Sequence, residues 1–450
     1  MCEIFLKKGG GSVKKLCFAV AFLLVVLCGC SGDIQSDFFA LPHLPETHSA
    51  LLETVDQVRS EGFEFAEPRS GFNRSPLNLM DIDGDGEDEG IVFLRNVTDT
   101  YKTYIYIFEQ ADSVFGLFDI IEGEEKEIYT VSYSQLLDTT GYQIIVKWGA
   151  DENTAQNITA YNLGTDGIEE VLSLSAEQFS VSDISGDGRN EFLAVVDDNG
   201  KVYADIYEED SGEIRKAGRV HLSENDGRVI RILSGKATDT RNAAFIERES
   251  GGVVITDAIA YDGDEYLNLL PEGDACRVRA LCSDVDGDGI IELPKVSDSF
   301  SEDGKKDTTY IWRSLDEGGR IVPKAFTYHS FTNNWYFSMP MSWANTVVVS
   351  EERIGAERIR INFQTREKVG FGEEESFVEA PLFSVYMFTG SNRKTLATQD
   401  DKFIISEREG VIFAGEIISD GYLGEAITQE FIKAAFKTRE SDWASEVLFA

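Results

Sequence analysis

The chain has 450 residues, 42% of them hydrophobic and 11% aromatic, which is enough apolar surface for two or three domain cores and too much for a disordered chain. Its 80 acidic residues against 41 basic ones give a formal charge of −39. That excess argues against nucleic acid and anionic lipid surfaces as partners, which basic patches recognise, and suits a solvated exterior protein that recruits cations.

Residues 1–29 have the order of a secretory signal. Lys7, Lys8, Lys14 and Lys15 precede an apolar run from Leu16 to Leu27, too short for a comfortable membrane span. The run ends in Leu27-Cys-Gly-Cys30, which resembles a bacterial lipobox. The resemblance implies cleavage after Gly29 and a diacylglyceryl group on Cys30. The acyl chains would hold the protein on the outer face of a bacterial membrane, with residues 30–45 as a tether. Export explains the cysteines: Cys2, Cys17 and Cys28 leave with the signal, and Cys276 and Cys282 stand too far apart along a straight strand for a disulfide. They are expected as buried thiols.

Leu51, Leu52, Val55 and Val58 fall at helical spacing, predicting one short helix over residues 46–61. Short alternating or apolar runs follow, among them Tyr104-Ile-Tyr-Ile-Phe108, Tyr142-Gln-Ile-Ile-Val146, Val202-Tyr-Ala-Asp-Ile-Tyr207 and Val253-Val-Ile-Thr256. Gly, Asp and Asn turns bound them, as expected of many antiparallel strands.

Within this β pattern one acidic loop recurs. It reads Asp81-Ile-Asp-Gly-Asp-Gly-Glu-Asp-Glu89, Asp183-Ile-Ser-Gly-Asp-Gly-Arg-Asn-Glu191 and Asp284-Val-Asp-Gly-Asp-Gly-Ile-Ile-Glu292, with starts 102 and 101 residues apart. A fixed period of this kind marks a duplicated unit. Calcium takes six to eight oxygen ligands and tolerates irregular geometry. Oxygens at positions one, three and five of a tight loop turn inward together: Asp81, Asp83 and Asp85, then Asp183, Ser185 and Asp187, then Asp284, Asp286 and Asp288. The paired glycines allow the backbone angles such a loop needs. Glu89, Glu191 and Glu292 at position nine are placed to close the shell. The second loop, with Ser185 for a carboxylate, is expected to bind most weakly. An EF-hand would need a glutamate at position twelve between two helices; here position twelve is Val92, Ala194 and Lys295, and strands follow. Acidic Asp-Gly turns without a metal are the plain alternative.

A nine-residue loop entering a strand resembles the FG-GAP/VCBS repeats of integrin-like β-propellers, over about residues 60–325. The stretch from Leu41 through Arg95 also looks like secreted lipoproteins of anaerobic Gram-positive bacteria that carry these repeats. The resemblance implies a mainly β fold: a β-propeller of about five to six blades over residues 46–325, with a leading short helix and the calcium loops on alternate blades. Gly141-Tyr-Gln-Ile-Ile-Val146 would be an intervening degenerate copy. It also implies up to three structural Ca²⁺ ions held by residues one, three, five and nine of each loop.

Composition shifts near Pro323, and residues 326–450 are expected to form a small α+β domain. Its final helix would carry Ile427, Phe431 and Ala435 on one stripe, with Phe436 beside it. The aromatic cluster Trp335, Tyr336, Phe337 and Trp343 reads as core, with a ligand platform as the alternative. The four histidines lie in no metal-ligand pattern, and no nucleophile elbow, Walker loop or dinucleotide fingerprint is present. No catalytic residue can be nominated. The expectation is a lipid-anchored binding or scaffold module for a glycan, peptide or envelope partner. The alternative is a secreted propeller-type hydrolase or lyase with acidic catalytic residues.

Overall fold

A computed structural model describes residues 46–98, 101–111, 114–123, 125–150, 155–164, 167–223, 227–276, 280–297, 309–369 and 376–438. Residues 1–45, with the expected signal sequence, Cys30 and the expected tether, lie outside the described residues. Among the described residues no helix is long and apolar enough to cross a membrane.

The chain is mainly β, folded as a succession of antiparallel sheets. The helix Glu46–Arg59 comes first. The first sheet then takes Phe63–Phe65, Leu77–Met80, Glu89–Asn96, Thr103–Ala111 and Val114–Glu122. The second takes Ile128–Ser134, Gln143–Trp148, Gln156–Gly164 and Gly167–Ala176; the third Gln178–Ser182, Glu191–Asp197, Val202–Asp210 and Glu213–His221. The fourth holds Arg228–Lys236, Asn242–Ser250, Val253–Tyr261, Tyr266–Asn268 and Asp274–Cys276. Each is dominated by a meander of sequential neighbours, the arrangement that short turns between alternating strands favour.

One strand of each of these sheets (Glu89–Asn96, Gln143–Trp148, Glu191–Asp197 and Asn242–Ser250) is buried on both faces over most of its length, so alternate side chains report what lies on either side. In the first sheet Ile91 and Phe93 face the second sheet, where they meet Ile144, Val146 and Trp148. Val92 and Leu94 face the opposite way, onto Leu51 and Val55 of the helix. Each of those two helix side chains is wholly buried, worth about 1.5–3 kcal/mol. Ile145 of the second sheet packs on Phe192 and Ala194 of the third, while Leu193 and Val195 turn to Ala244 and Ile246 of the fourth. Ala243 and Phe245 then face Leu293 and Leu315 of the fifth. The sheets are therefore stacked face to face in chain order, beginning at the helix.

The fifth sheet contains Leu293–Val296, Thr309–Leu315, Ile321–Ser330, Trp335–Met339 and, at its edge, Phe436–Thr438. The position expected for a domain boundary, 325/326, falls inside the strand Ile321–Ser330. The C-terminal strand returns to pair Phe436 with Phe337. The sixth sheet (Val347–Gly355, Arg358–Val369, Ser376–Phe388, Phe403–Arg408 and Val411–Ile417) packs on the fifth through Phe326, Tyr328, Phe337, Phe363 and Phe383. Trp335, Phe337 and Trp343 are buried in this core, so they present no ligand platform. The final helix is Gln429–Ala435, capped by the Thr428 hydroxyl; its buried side chains are Ile432 and Ala435, while Ile427 lies before it and Phe436 in the strand after it. Cys282 is a buried free thiol, and the side chain of Cys276 lies outside the described residues.

Candidate metal centres

The first two acidic loops join Leu77–Met80 to Glu89–Asn96 and Gln178–Ser182 to Glu191–Asp197, and the third leads from the single bridge Ser283–Glu292 into Leu293–Val296 of the fifth sheet. In each, the position-nine glutamate stands opposite the residue that precedes the loop: Met80 with Glu89, Ser182 with Glu191, and Ser283 with Glu292. The intervening sheets show the same position occupied differently. Ser134 pairs with Gln143 in the second sheet and Lys236 with Asn242 in the fourth. Residues 89, 143, 191, 242 and 292 thus mark one structural position about every fifty residues along the chain.

All three loops fold by the same hydrogen bonds. The position-one aspartate accepts two glycine amides, one on each oxygen: Gly84 and Gly86 on Asp81 (2.8 and 3.1 Å), Gly186 and Gly188 on Asp183 (2.6 and 3.0 Å), Gly287 and Gly289 on Asp284 (2.7 and 2.9 Å). Position three accepts the amide of position five: Asp85 donates to Asp83 at 3.0 Å, Asp187 to Ser185 at 3.4 Å and Asp288 to Asp286 at 3.3 Å. The position-nine carboxylate accepts the amide of position two, from Ile82 at 2.8 Å, Ile184 at 2.6 Å and Val285 at 2.8 Å. One oxygen of each buried glutamate is therefore used to hold the loop. Gln143 shows what that bond is worth alone: its Oε1 accepts the Leu136 amide at 2.6 Å in a turn with a single acid, Asp138.

Among the described residues three acidic groups could hold a cation, each with one oxygen per residue lying within 4.8 Å of the others: Asp81, Asp83 and Asp85; Asp183, Asp187 and Glu191; Asp284, Asp286 and Glu292. Glu89 is not in the first group, and Asp288 is not in the third. Burial, then the charges of Asp83 and Asp85, push the Glu89 carboxyl up to about 7 against the Ile82 hydrogen bond. Glu292 is pushed up to about 8 by burial, then by Asp286, Asp288 and Asp284, with the Val285 amide opposing. Glu191 is raised by burial, partly offset by the Ser185 hydroxyl and the amides of Ile184 and Ser185. Glu292 is wholly buried and, among the described residues, its Oε1 has no hydrogen-bond partner. A buried anionic oxygen among aspartates is costly unless a cation faces it. The donor set, all hard oxygens from a flexible loop, fits calcium better than a soft transition metal.

Basic side chains distinguish the loops. Arg189, at position seven of the second, forks onto Asp187 Oδ2 through Nε and Nη2 (3.2 and 2.9 Å) and reaches Glu209 at 3.2 Å. Although burial alone would raise it, the Arg189 backbone amide, donating to Asp187 Oδ1 at 2.8 Å, and then the guanidinium hold the Asp187 carboxyl below its usual range. In the third loop Lys324 Nζ stands 2.6 Å from Asp288 and 3.9 Å from Asp286. That hydrogen bond is the main cause of the lowered Asp288 carboxyl. The sequence reading missed both cations. Arg189 was visible inside its loop, while the only signal for Lys324 was Pro323 beside it, since proline within a strand marks a bulge.

Each loop is also bolted to a neighbouring sheet. The Tyr142 amide of the second sheet donates to Ile82 O of the first loop at 2.7 Å. Asn242 Nδ2 of the fourth sheet donates to Asp183 O of the second loop at 2.8 Å. The Ile291 amide of the third loop donates to Lys236 O of the fourth sheet at 2.8 Å. Beside the second loop a polar cavity of about 420 Å³ is lined by Asp138, Asp187, Arg189, Glu208, Glu209 and Tyr261, among others. Compared with family models and with curated proteins, the chain matches none.

Proposed function

We propose that this chain is a calcium-braced, extracytoplasmic β scaffold, lipid-anchored through Cys30, that presents a binding surface to a glycan, peptide or envelope partner. The observation that carries the reading is the same loop, with the same hydrogen bonds, on alternate sheets and tied each time to an adjacent sheet. Calcium held by Asp81, Asp83 and Asp85, by Asp183, Asp187 and Glu191, and by Asp284, Asp286 and Glu292 would stiffen the seams of the stack rather than act in chemistry. We read the face-to-face meanders as blades of a propeller-type array of the FG-GAP/VCBS kind. The N-terminal helix covers the face of the first sheet that a last blade would take in a closed ring, which favours an open array. The cavity supports binding over catalysis because it adjoins the second loop, whereas a hydrolase centre would be sought away from the bracing sites.

The test is a thermal melt of residues 31–450 with millimolar Ca²⁺ or with EDTA, beside a Glu89→Gln, Glu292→Gln variant. At extracellular-type affinities, ten millimolar calcium stabilises by about 1–3 kcal/mol per occupied site. A rise in melting temperature that shrinks in the variant supports bracing. Identical melts in both conditions would remove calcium from the account.

A further inference from the structure

We propose that Lys324 is a built-in cation of the third loop: a tethered competitor that calcium must displace, so that this loop binds calcium more weakly than its acidic content alone dictates and releases a lysine when it loads. The inference rests on the calcium reading above and concerns how one of its sites is regulated.

The strand register carries the argument. In four sheets one hairpin has a bulge at a comparable place: Thr103–Ala111 with Val114–Glu122, Gln156–Gly164 with Gly167–Ala176, Val202–Asp210 with Glu213–His221, and Thr309–Leu315 with Ile321–Ser330. Opposite consecutive residues of one strand, the other skips one: Phe118 between the partners of Phe108 and Ile107, Val171 between those of Tyr161 and Ala160, Ala217 between those of Tyr207 and Ile206. In the fifth sheet Arg313 pairs with Pro323 and Trp312 with Ala325, so the extra residue is Lys324. A bulge re-aims the side chain it inserts. Three of the four carry an apolar residue there. The fourth carries a lysine whose ammonium lies 2.6 Å from a position-five aspartate and 3.9 Å from a position-three one.

The geometry on the other side of the loop shows what is being contested. Asp284, Asp286 and Glu292 converge, and Glu292 is fully buried with Oε1 unpartnered among the described residues. Lys324 is paired instead with Asp288, and Asp288 is the acid missing from the converging group. In the first loop, among the described residues, no basic side chain pairs with Asp81, Asp83 or Asp85, and these three converge. The third loop therefore differs from the first, whose position-five carboxylate converges with no cation on it, and from the second, whose Asp187 converges while Arg189 forks onto its Oδ2. Calcium binding in the third loop recovers Asp288 only by displacing Lys324. That exchange turns an internally neutralised lysine into an exposed positive charge beside the loop.

The experiment is calorimetric titration of Ca²⁺ into the wild-type chain, Lys324→Met, Lys324→Gln and Lys324→Met combined with Glu292→Gln. A singly charged ammonium a few ångströms from a doubly charged ion in water sets the scale at about ten-fold in affinity. Either single variant should tighten one calcium site by about that factor and leave the others unchanged, and adding Glu292→Gln should abolish the gain. If the wild type binds calcium and both lysine variants bind with unchanged or weaker affinity, the inference is wrong and the calcium reading stands. If no protein in the series binds calcium, both fall together.

Discussion

Replacing Gly141 by alanine tests whether the second sheet holds the first loop. A Cβ at that position would stand 2.3 Å from the carbonyl oxygen of Ile82 and 3.0 Å from the Cα of Asp83. Both neighbours are backbone, so no rotamer change relieves the contact. The adjacent Tyr142 amide donates to the same Ile82 carbonyl at 2.7 Å, and the Thr140 hydroxyl reaches Asp83 O at 3.4 Å. Forcing the two loops apart costs about 1–3 kcal/mol of overpacking strain and weakens a hydrogen bond worth about 1 kcal/mol, for a total of about 2–4 kcal/mol. Gly86→Ala is the control: its φ of +96° strains any other residue, but no heavy atom lies within 4 Å of the added methyl. That change costs about 1–2 kcal/mol of local strain alone. Urea unfolding in excess calcium, followed by tryptophan fluorescence, to which Trp148 buried between the first two sheets contributes, separates the two. With a slope of about 2–3 kcal/mol/M, Gly141→Ala should lower the first midpoint by about 1 M and by more than Gly86→Ala does. A Gly141→Ala midpoint equal to wild type, or no lower than that of Gly86→Ala, would refute the bolting of loop to sheet.

Two further outcomes follow from the same geometry. Gln143→Glu puts a charge into a wholly buried position whose amide also donates to Asn162 Oδ1 at 2.9 Å. With only Asp138 nearby in the turn to recruit a cation, it should lose about 2–3 kcal/mol in chemical denaturation, and added calcium should not restore it. Asp205, where burial is outweighed by hydrogen bonds from Arg219 and Lys216, keeps a carboxyl below the usual range in the folded protein. Its contribution is therefore complete above the unfolded value of about 3.9 and lost as pH falls through the lower folded value. Wild type should exceed Asp205→Asn in stability at neutral pH and approach it in acid; a gap independent of pH down to strong acid would contradict the pairing.

Several features were legible in the chain before any fold was known. The helix was announced by Leu51, Val55 and Val58, and the strands by alternation between Gly, Asp and Asn turns. The loops were legible because their chemistry is local: oxygen-bearing side chains at alternate positions, three carboxylates in the first and third and two with Ser185 in the second, glycines between them and a strand directly after. The exclusion of EF-hands followed from the same short range, since Val92, Ala194 and Lys295 stand where that loop needs a glutamate. The degenerate copy around Gly141 was visible too, though not that Gln143 reproduces the position-nine hydrogen bond without a charge.

Tertiary structure decided the rest. Residues far apart in sequence meet only when sheets stack, so the Tyr142, Asn242 and Lys236 contacts to the loops had no sequence signature. The return of Phe436–Thr438 to the fifth sheet, which carries the chain past any boundary at 326, depends on a strand pairing a hundred residues distant. Burial of Trp335, Phe337 and Trp343 was settled by the arrival of the sixth sheet against them. The position-nine glutamates are expected from sequence to close each shell; Glu191 and Glu292 converge with their aspartates and Glu89 does not, and register alone shows that each uses an oxygen on the position-two amide. The third loop shows the division most clearly. Its ligands are fixed by spacing along nine residues, while its competitor comes from Lys324, thirty-six residues beyond Asp288, delivered by a bulge whose position only strand pairing defines.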